Sequence, residues 1–192
     1  MGKPLSEMTL EELWQLFPIF LTEHQAGWAQ QYAEEEAHLR RVLPADHVLA
    51  IHHIGSTAIP GIWAKPIVDI LVEAVHDAEL LDLKPAILAA GYICMSQSKD
   101  RLSFNKGYTS EGFAEKVFHL HLHRAGDRDE LFFRDYMIAH PEAAQEYEEL
   151  KLRLWKQYEH DRDGYTHAKG ELVARYTTLS KEQKQQPIPA VE

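Results

Sequence analysis

The sequence predicts an α+β fold, a small mixed β-sheet flanked by helices with a helical segment at the C-terminal end. Two observations carry this. Short apolar and β-branched runs are confined to the middle of the chain, residues 48–124, with helical periodicity on either side. One of those runs, Pro66 to Val75, is almost unbroken in Ile67, Val68, Ile70, Leu71 and Val72, the pattern of a strand buried on both faces. The order of elements favours a mixed sheet covered by helices over a regular alternation of strand and helix.

The elements follow in order. Leu10, Leu13, Trp14 and Phe17 share one helical face across residues 8–20, with Thr9 before Glu11 and Glu12 as the N-cap region. A longer amphipathic helix over 24–43 turns Trp28, Tyr32 and Leu39 inward and stops at Pro44. On it, Glu34-Glu35-Glu36 reads as a solvated face. Val48 to Ile54 is a strand, and residues 55–66 are a turn region with a helical turn around 59–63. After the strand 66–75 comes a helix over 78–90, ended by Gly91. Residues 92–95 and 101–105 are weaker strands that could pair, and 116–124 is a strand with clean alternation. Helices then cover 128–139, 141–158 with Pro141 in the first turn, and 164–178. Residues 1–179 are expected to form one domain, with 1–22 as an N-terminal helical extension. The polar, proline-containing stretch 180–192 reads as a disordered tail.

Composition narrows the function. The 192 residues are 45% hydrophobic, enough for a sizeable core, and no apolar run approaches the roughly 20 residues that cross a bilayer. The first residues lack a secretory pattern, and the single cysteine, Cys94, excludes an internal disulfide, so the expectation is a cytoplasmic protein without a membrane partner. A formal net charge of −10 without a dense Lys/Arg cluster argues against DNA binding. It leaves room for a small phosphorylated ligand at a locally positive site, and for homo-oligomerisation.

Two stretches carry candidate chemistry. Gly55-Ser56-Thr57 directly follows a strand. The glycine lets backbone N–H groups approach an anion, and the hydroxyls can donate to phosphate oxygens. The plainer reading is a tight turn with a capping serine. Asp69 sits in an apolar strand and needs a metal, hydrogen bonds or a partner such as Lys65. Asp69 and Glu73 share a face but stand roughly 13 Å apart, too far for one ion. His119, His121 and His123 alternate on one strand face, neighbours roughly 7 Å apart, so two can approach an ion only if other elements complete the sphere. Imidazole suits zinc, manganese, iron or nickel better than magnesium, and one ring could instead serve as acid or base. The plainer reading is the polar side of an edge strand. Lys65 and Lys169, the latter after Tyr165, are candidates to neutralise phosphate.

The run His52-His53-Ile54-Gly55-Ser56-Thr57-Ala58-Ile59-Pro60-Gly61 through Lys65-Pro66-Ile67-Val68-Asp69-Ile70 resembles the GrpB-like (UPF0157) family. The resemblance extends to His119-Leu120-His121, Phe133-Arg134-Asp135-Tyr136, His140-Pro141 and Tyr165 to Lys169, and covers about residues 24–178. The family is similar to the nucleotidyltransferase superfamily and also occurs fused to dephospho-CoA kinases. The resemblance implies a nucleotidyltransferase-like fold in which a Gly-Ser turn holds nucleotide phosphates. It also implies two carboxylates, separated by one residue on the next strand, that bind magnesium, with a third on a later strand. Gly55-Ser56 fits the turn and Asp69 the first carboxylate, but Leu71 stands at the second, and His119 or His121 is the candidate for the third.

The leading expectation is therefore a nucleotidyltransferase-like protein binding a nucleotide or phosphorylated metabolite with a divalent metal (magnesium, manganese or zinc). Its expected phosphate site is Gly55, Ser56, Thr57, Lys65 and Lys169, its metal ligands Asp69, His119 and His121, and its catalytic residues Asp69 and His121. Two alternatives stand beside it. His119-Leu120-His121-Leu122-His123 resembles the His-x-His-x-His core of histidine-triad hydrolases and transferases, with His121 as nucleophile, although Arg124 departs from that pattern. The other is a non-catalytic nucleotide- or metal-binding module.

Overall fold

The computed structural model describes residues 3–76 and 78–185. Five strands, β1 (Val48–Ile54), β2 (Val68–Ala74), β3 (Ile93–Gln97), β4 (Arg101–Thr109) and β5 (Gly112–Arg124), form one sheet in the order β1-β2-β5-β4-β3. All neighbours are antiparallel except β2 and β5, which run parallel. The sheet is mixed, as expected, and β3 and β4 do pair. The histidine strand, however, lies at the centre of the sheet and not at an edge.

Five α-helices of the described residues cover both faces. On one side α2 (Gly27–Val42) and α3 (Leu80–Ala89) pack Trp28, Leu39, Leu83 and Ile87 against Val68, Ile70, Val72, Phe104, Leu120 and Leu122. Each such large side chain taken from water contributes about 1.5–3 kcal/mol. On the other side lie α4 (Asp129–Ala139), α5 (Pro141–Gln157) and α6 (Arg162–Gln185). There Leu71 is buried with Ile54 and Leu131, and Phe133, Met137, Ala144, Tyr147 and Tyr176 form a second cluster with Ile59 and Ile62. The period of two sends Ile70 and Val72 to the first layer and Leu71 to the second, so β2 is buried on both faces.

Several boundaries differ from the sequence reading. The first helix, α1, is only Leu10–Leu16 and buries nothing; its Thr9–Glu12 capping box fixes its start. The chain after it is what anchors the N-terminal segment. Phe17 packs on Tyr108 and Phe113, and the Ile19 N–H donates to the Glu159 carbonyl. The single helical turn after β1 is at Ser56–Ala58, not around 59–63. Strands β4 and β5 extend toward each other through a hairpin at 109–112. Helix α6 runs on to Gln185 with Ser180 buried, because Lys181 and Lys184 pair with Asp129 and Asp135 of α4. The disordered tail expected from Ser180 therefore does not begin there, and residues 186–192 lie outside the described residues. Glu35 is buried as well, accepting hydrogen bonds from Tyr92 and Lys106, so the acidic run is not uniformly solvated.

Two local arrangements position the site. Gly55 has φ +70°, and a Cβ there would lie 2.3 Å from the Asp69 carboxylate oxygen Oδ2. Only glycine lets the turn press against the start of β2. Glu73, fully buried, accepts from Arg128 Nε at 2.9 Å and contacts His52 Nε2 at 2.9 Å, tying β2 to α4 and β1. Burial raises its carboxyl pKa, but Arg128 and His52 outweigh that and hold it below the ordinary value.

Gly55→Ala should cost about 1–3 kcal/mol from the positive φ and the collision together, read as a lowered urea midpoint. Gly55→Ser should do the same. Glu73→Gln should lower stability by about 1–3 kcal/mol at pH 7. A depressed carboxylate contributes above its ordinary pKa and loses that contribution as pH falls through the folded value. Unfolding of Glu73→Gln followed from pH 7 to pH 3 should therefore show a shallower acid limb than the parent.

Candidate functional site

A cavity of about 440 Å³ opens between the β2/β5 face of the sheet and the helices α4 to α6. That volume suits a small ligand of metabolite size. The parallel register places Asp69 beside His119 and Leu71 beside His121. The Asp69 Oδ1 lies 3.3 Å from His119 Nδ1 and 3.6 Å from His121 Nε2. Asp69, His119 and His121 all line the cavity, together with Gly55, Ser56, Lys65 and Lys169. Thr57 does not. It is buried, and its hydroxyl lies 2.9 Å from His53 Nε2, so it braces the turn beneath the site.

The acidic side of the cavity is wired into a chain of contacts that the sequence did not reveal. Arg162 donates to the Tyr108 hydroxyl at 2.9 Å, and that hydroxyl lies 2.8 Å from His119 Nε2. A tyrosine that accepts from arginine has its single proton free for Nε2, which leaves the Nδ1–H of His119 directed at Asp69. Burial lowers the His119 pKa while Asp69 opposes the shift. Burial alone would raise the Asp69 pKa, yet the two imidazoles hold it well below the usual carboxylate range. Asp69 is thus an anion throughout the physiological range, paired with histidines and not with Lys65.

The opposite wall is cationic. Lys65 and Lys169 sit over the Tyr165 ring, 5.3 and 4.3 Å from its centroid. Lys151, nearly inaccessible, lies 4.7 Å from the Tyr147 ring centroid and donates to the Trp63 carbonyl. Burial and the neighbouring lysines push Lys65 and Lys151 down to about 7. Ser56 Oγ reaches the Tyr147 hydroxyl at 3.4 Å, joining the turn to this wall. The sequence reading missed Lys151, although a signal existed. It falls in the apolar stripe Ala144, Tyr147, Lys151, Leu154 of α5, where a charged residue must have a reason to be buried. Tyr108 and Arg162 had no comparable signal, because only the tertiary fold brings them to His119.

As to metals, the described residues hold one set of three ligand atoms lying mutually within 4.8 Å, His123, Asp127 and Glu130. Asp69, His119 and His121 offer a carboxylate and two imidazoles but converge less closely. Leu71, packed against Ile54 and Leu131, supplies nothing at the position of a second carboxylate.

The GrpB protein family model matches residues 18–178. UPF0157 protein PA4798 of Pseudomonas aeruginosa is 36% identical over 152 residues, 78% of this chain. The match spans only 62% of that relative's length. Glutamate-rich protein GrpB of Alkalihalophilus pseudofirmus is 34% identical over 161 residues, 81% of this chain and 91% of its own. The crystal structure of conserved protein GrpB from Enterococcus faecalis superposes with a TM-score of 0.74 at 26% identity, over 87% of this chain and 100% of that one. The match of the family model across most of the chain, with these relatives, places the protein in the GrpB family.

Proposed function

We propose that the cavity binds a nucleotide or another phosphorylated metabolite and that the protein transfers a nucleotidyl group from it. The observation that carries this reading is the lysine wall. Lys65, Lys151 and Lys169 line the cavity, and among the described residues none of them forms an ion pair. Three ammonium groups facing one space, two with lowered pKa, form a site that a polyanion would stabilise. Phosphate oxygens would lie against these lysines and the Gly55–Ser56 turn. The base and sugar would occupy the cavity beside Phe133 and Val173.

In such a transfer the acceptor oxygen bonds to the α-phosphorus as the pyrophosphate oxygen leaves. The lysines would stabilise that leaving group, and positioning with charge neutralisation would supply most of the rate enhancement. Asp69 with His119 and His121 would hold a divalent ion. The donor set fits zinc or manganese, and the Tyr108 contact to His119 is the kind of outer support that metal-bound imidazoles have. When bound, the ion would neutralise charge on the transferred phosphate. With Leu71 in the apolar cluster, a bridged magnesium pair does not fit.

Titration calorimetry with ATP and with pyrophosphate tests the anion site. Lys151→Met should weaken binding by about 10-fold or more, since a charge-assisted contact is worth about 1.5–3 kcal/mol. Unchanged affinity for both ligands would overturn the reading. Binding needs the charged lysines, so affinity should fall as pH rises from 6 to 8.5 through their value of about 7. Around and above pH 7 binding should take up protons, measurable in buffers of different ionisation enthalpy. Elemental analysis of the purified protein should show one ion fewer per chain in Asp69→Asn than in the parent.

A further inference from the structure

His123 takes no part in the cavity just described. It is the third of the alternating histidines, but its ring lies at the far end of β5 and faces the turn into α4. The side chain is 2% exposed, and its Nδ1 has no hydrogen-bond partner. Glu130 Oε2, in the first turn of α4, is likewise buried without a partner. Two unsatisfied buried polar atoms side by side are costly, since each has lost its water without gaining a replacement. Both point into one small space, which Asp127 also enters. His123 Nδ1 is 3.6 Å from Asp127 Oδ2 and 3.9 Å from Glu130 Oε2.

Those separations decide what the space fits. Ligand atoms about 2.0–2.1 Å from a tetrahedral zinc lie about 3.3 Å from one another. The His123 Nδ1 separations are within a few tenths of an ångström of that spacing, and all three ligand atoms lie within 4.8 Å of one another. Direct hydrogen bonds from the imidazole would need a closer approach. Neighbouring cations are already drawn to the carboxylates. Arg101 Nη2 lies 2.5 Å from Asp127 Oδ2, and its Nη1 lies 3.6 Å from Glu130 Oε1. Arg101 is half exposed and can swing into solvent, so it is a replaceable occupant of the carboxylates' field. Its contacts go to the carboxylates, and His123 Nδ1 stays without a partner.

We propose that His123, Asp127 and Glu130 form a divalent-cation site, at the edge of the cavity that Glu130 also lines and distinct from the Asp69 ligands, suited to zinc or manganese, that clamps the end of β5 to the start of α4. One imidazole and two carboxylates suit zinc with an open fourth position, and manganese less tightly. The ion would satisfy both orphaned atoms and displace Arg101 from Asp127.

The test is competition of zinc and of manganese against a chromophoric chelator, made in the Asp69→Asn background so that the ion proposed at Asp69 does not contribute. One zinc per chain should remain in that background. Adding Asp127→Asn or Glu130→Gln, both partly exposed and conservative in shape, should weaken it more than about 100-fold, beyond the 10–100-fold typical of losing an outer partner. Near-UV circular dichroism checks that these variants keep their fold. Arg101→Gln should tighten binding several-fold by removing the competing cation. The proposal is overturned if the Asp69→Asn protein binds no zinc, if Asp127→Asn and Glu130→Gln bind as tightly as their parent, or if Arg101→Gln weakens the site. An ion count unchanged by Asp69→Asn, with zinc retained here, would sink the earlier metal assignment and leave this one standing.

Discussion

The parallel pairing of β2 with β5 is the constraint on which the site depends. Its register sets Asp69 beside His119, Leu71 beside His121 and Glu73 beside His123. Because both strands keep the two-residue alternation, all six side chains belong to the same layer. A slip of one residue would send the carboxylates and imidazoles into the apolar cluster formed with α2 and α3. The register is held from that cluster, where Val68, Ile70, Val72, Leu120 and Leu122 are fully buried. The chemistry on one face is thus fixed by packing on the other.

Opposite charges are kept apart across the cavity. The sheet supplies an aspartate with two histidines, α5 and α6 supply Lys151 and Lys169 beside Lys65 of the loop before β2, and the aromatic rings of Tyr147 and Tyr165 lie under the ammonium groups. Were Lys65 paired with Asp69, each would offset the other's charge and weaken the pull of the cavity on a cation at one wall and an anion at the other. Instead, Asp69 is served by imidazoles, and Lys65 by a tyrosine face, which offers attraction without a counter-charge. The overall acidity of the chain does not bear on this, because the field that a ligand meets is set by these few groups.

Much of this was legible in the sequence. The Gly-Ser turn, the doubly buried β2 and the alternating histidines each leave a local pattern of glycine, unbroken apolar residues or period two. The errors have physical reasons. The alternation of β5 suggested one wet face, whereas α4 to α6 cover that face, and histidine tolerates both settings. Ser180 to Gln185 looked too polar to be ordered, yet lysine pairs with Asp129 and Asp135 carry the helix onward. Glu35 looked like its exposed neighbours because its partners are distant in sequence: Tyr92 before β3 and Lys106 on β4. Partners far apart in sequence leave no local trace, and the Arg162–Tyr108–His119 chain is the clearest case.

The order of these elements along the chain has a consequence for how the cavity comes into being. The sheet is complete at Arg124, whereas the lysine wall at Lys151 and Lys169 comes from helices that follow it. As the chain leaves the ribosome, the strands can pair and bury their first face before the helices that cover the second have been made. During that interval Leu71 and the histidine ladder face water. The last helices therefore both cover the core and supply Lys151 and Lys169, so a chain interrupted before α5 would lack most of the cationic side of the cavity.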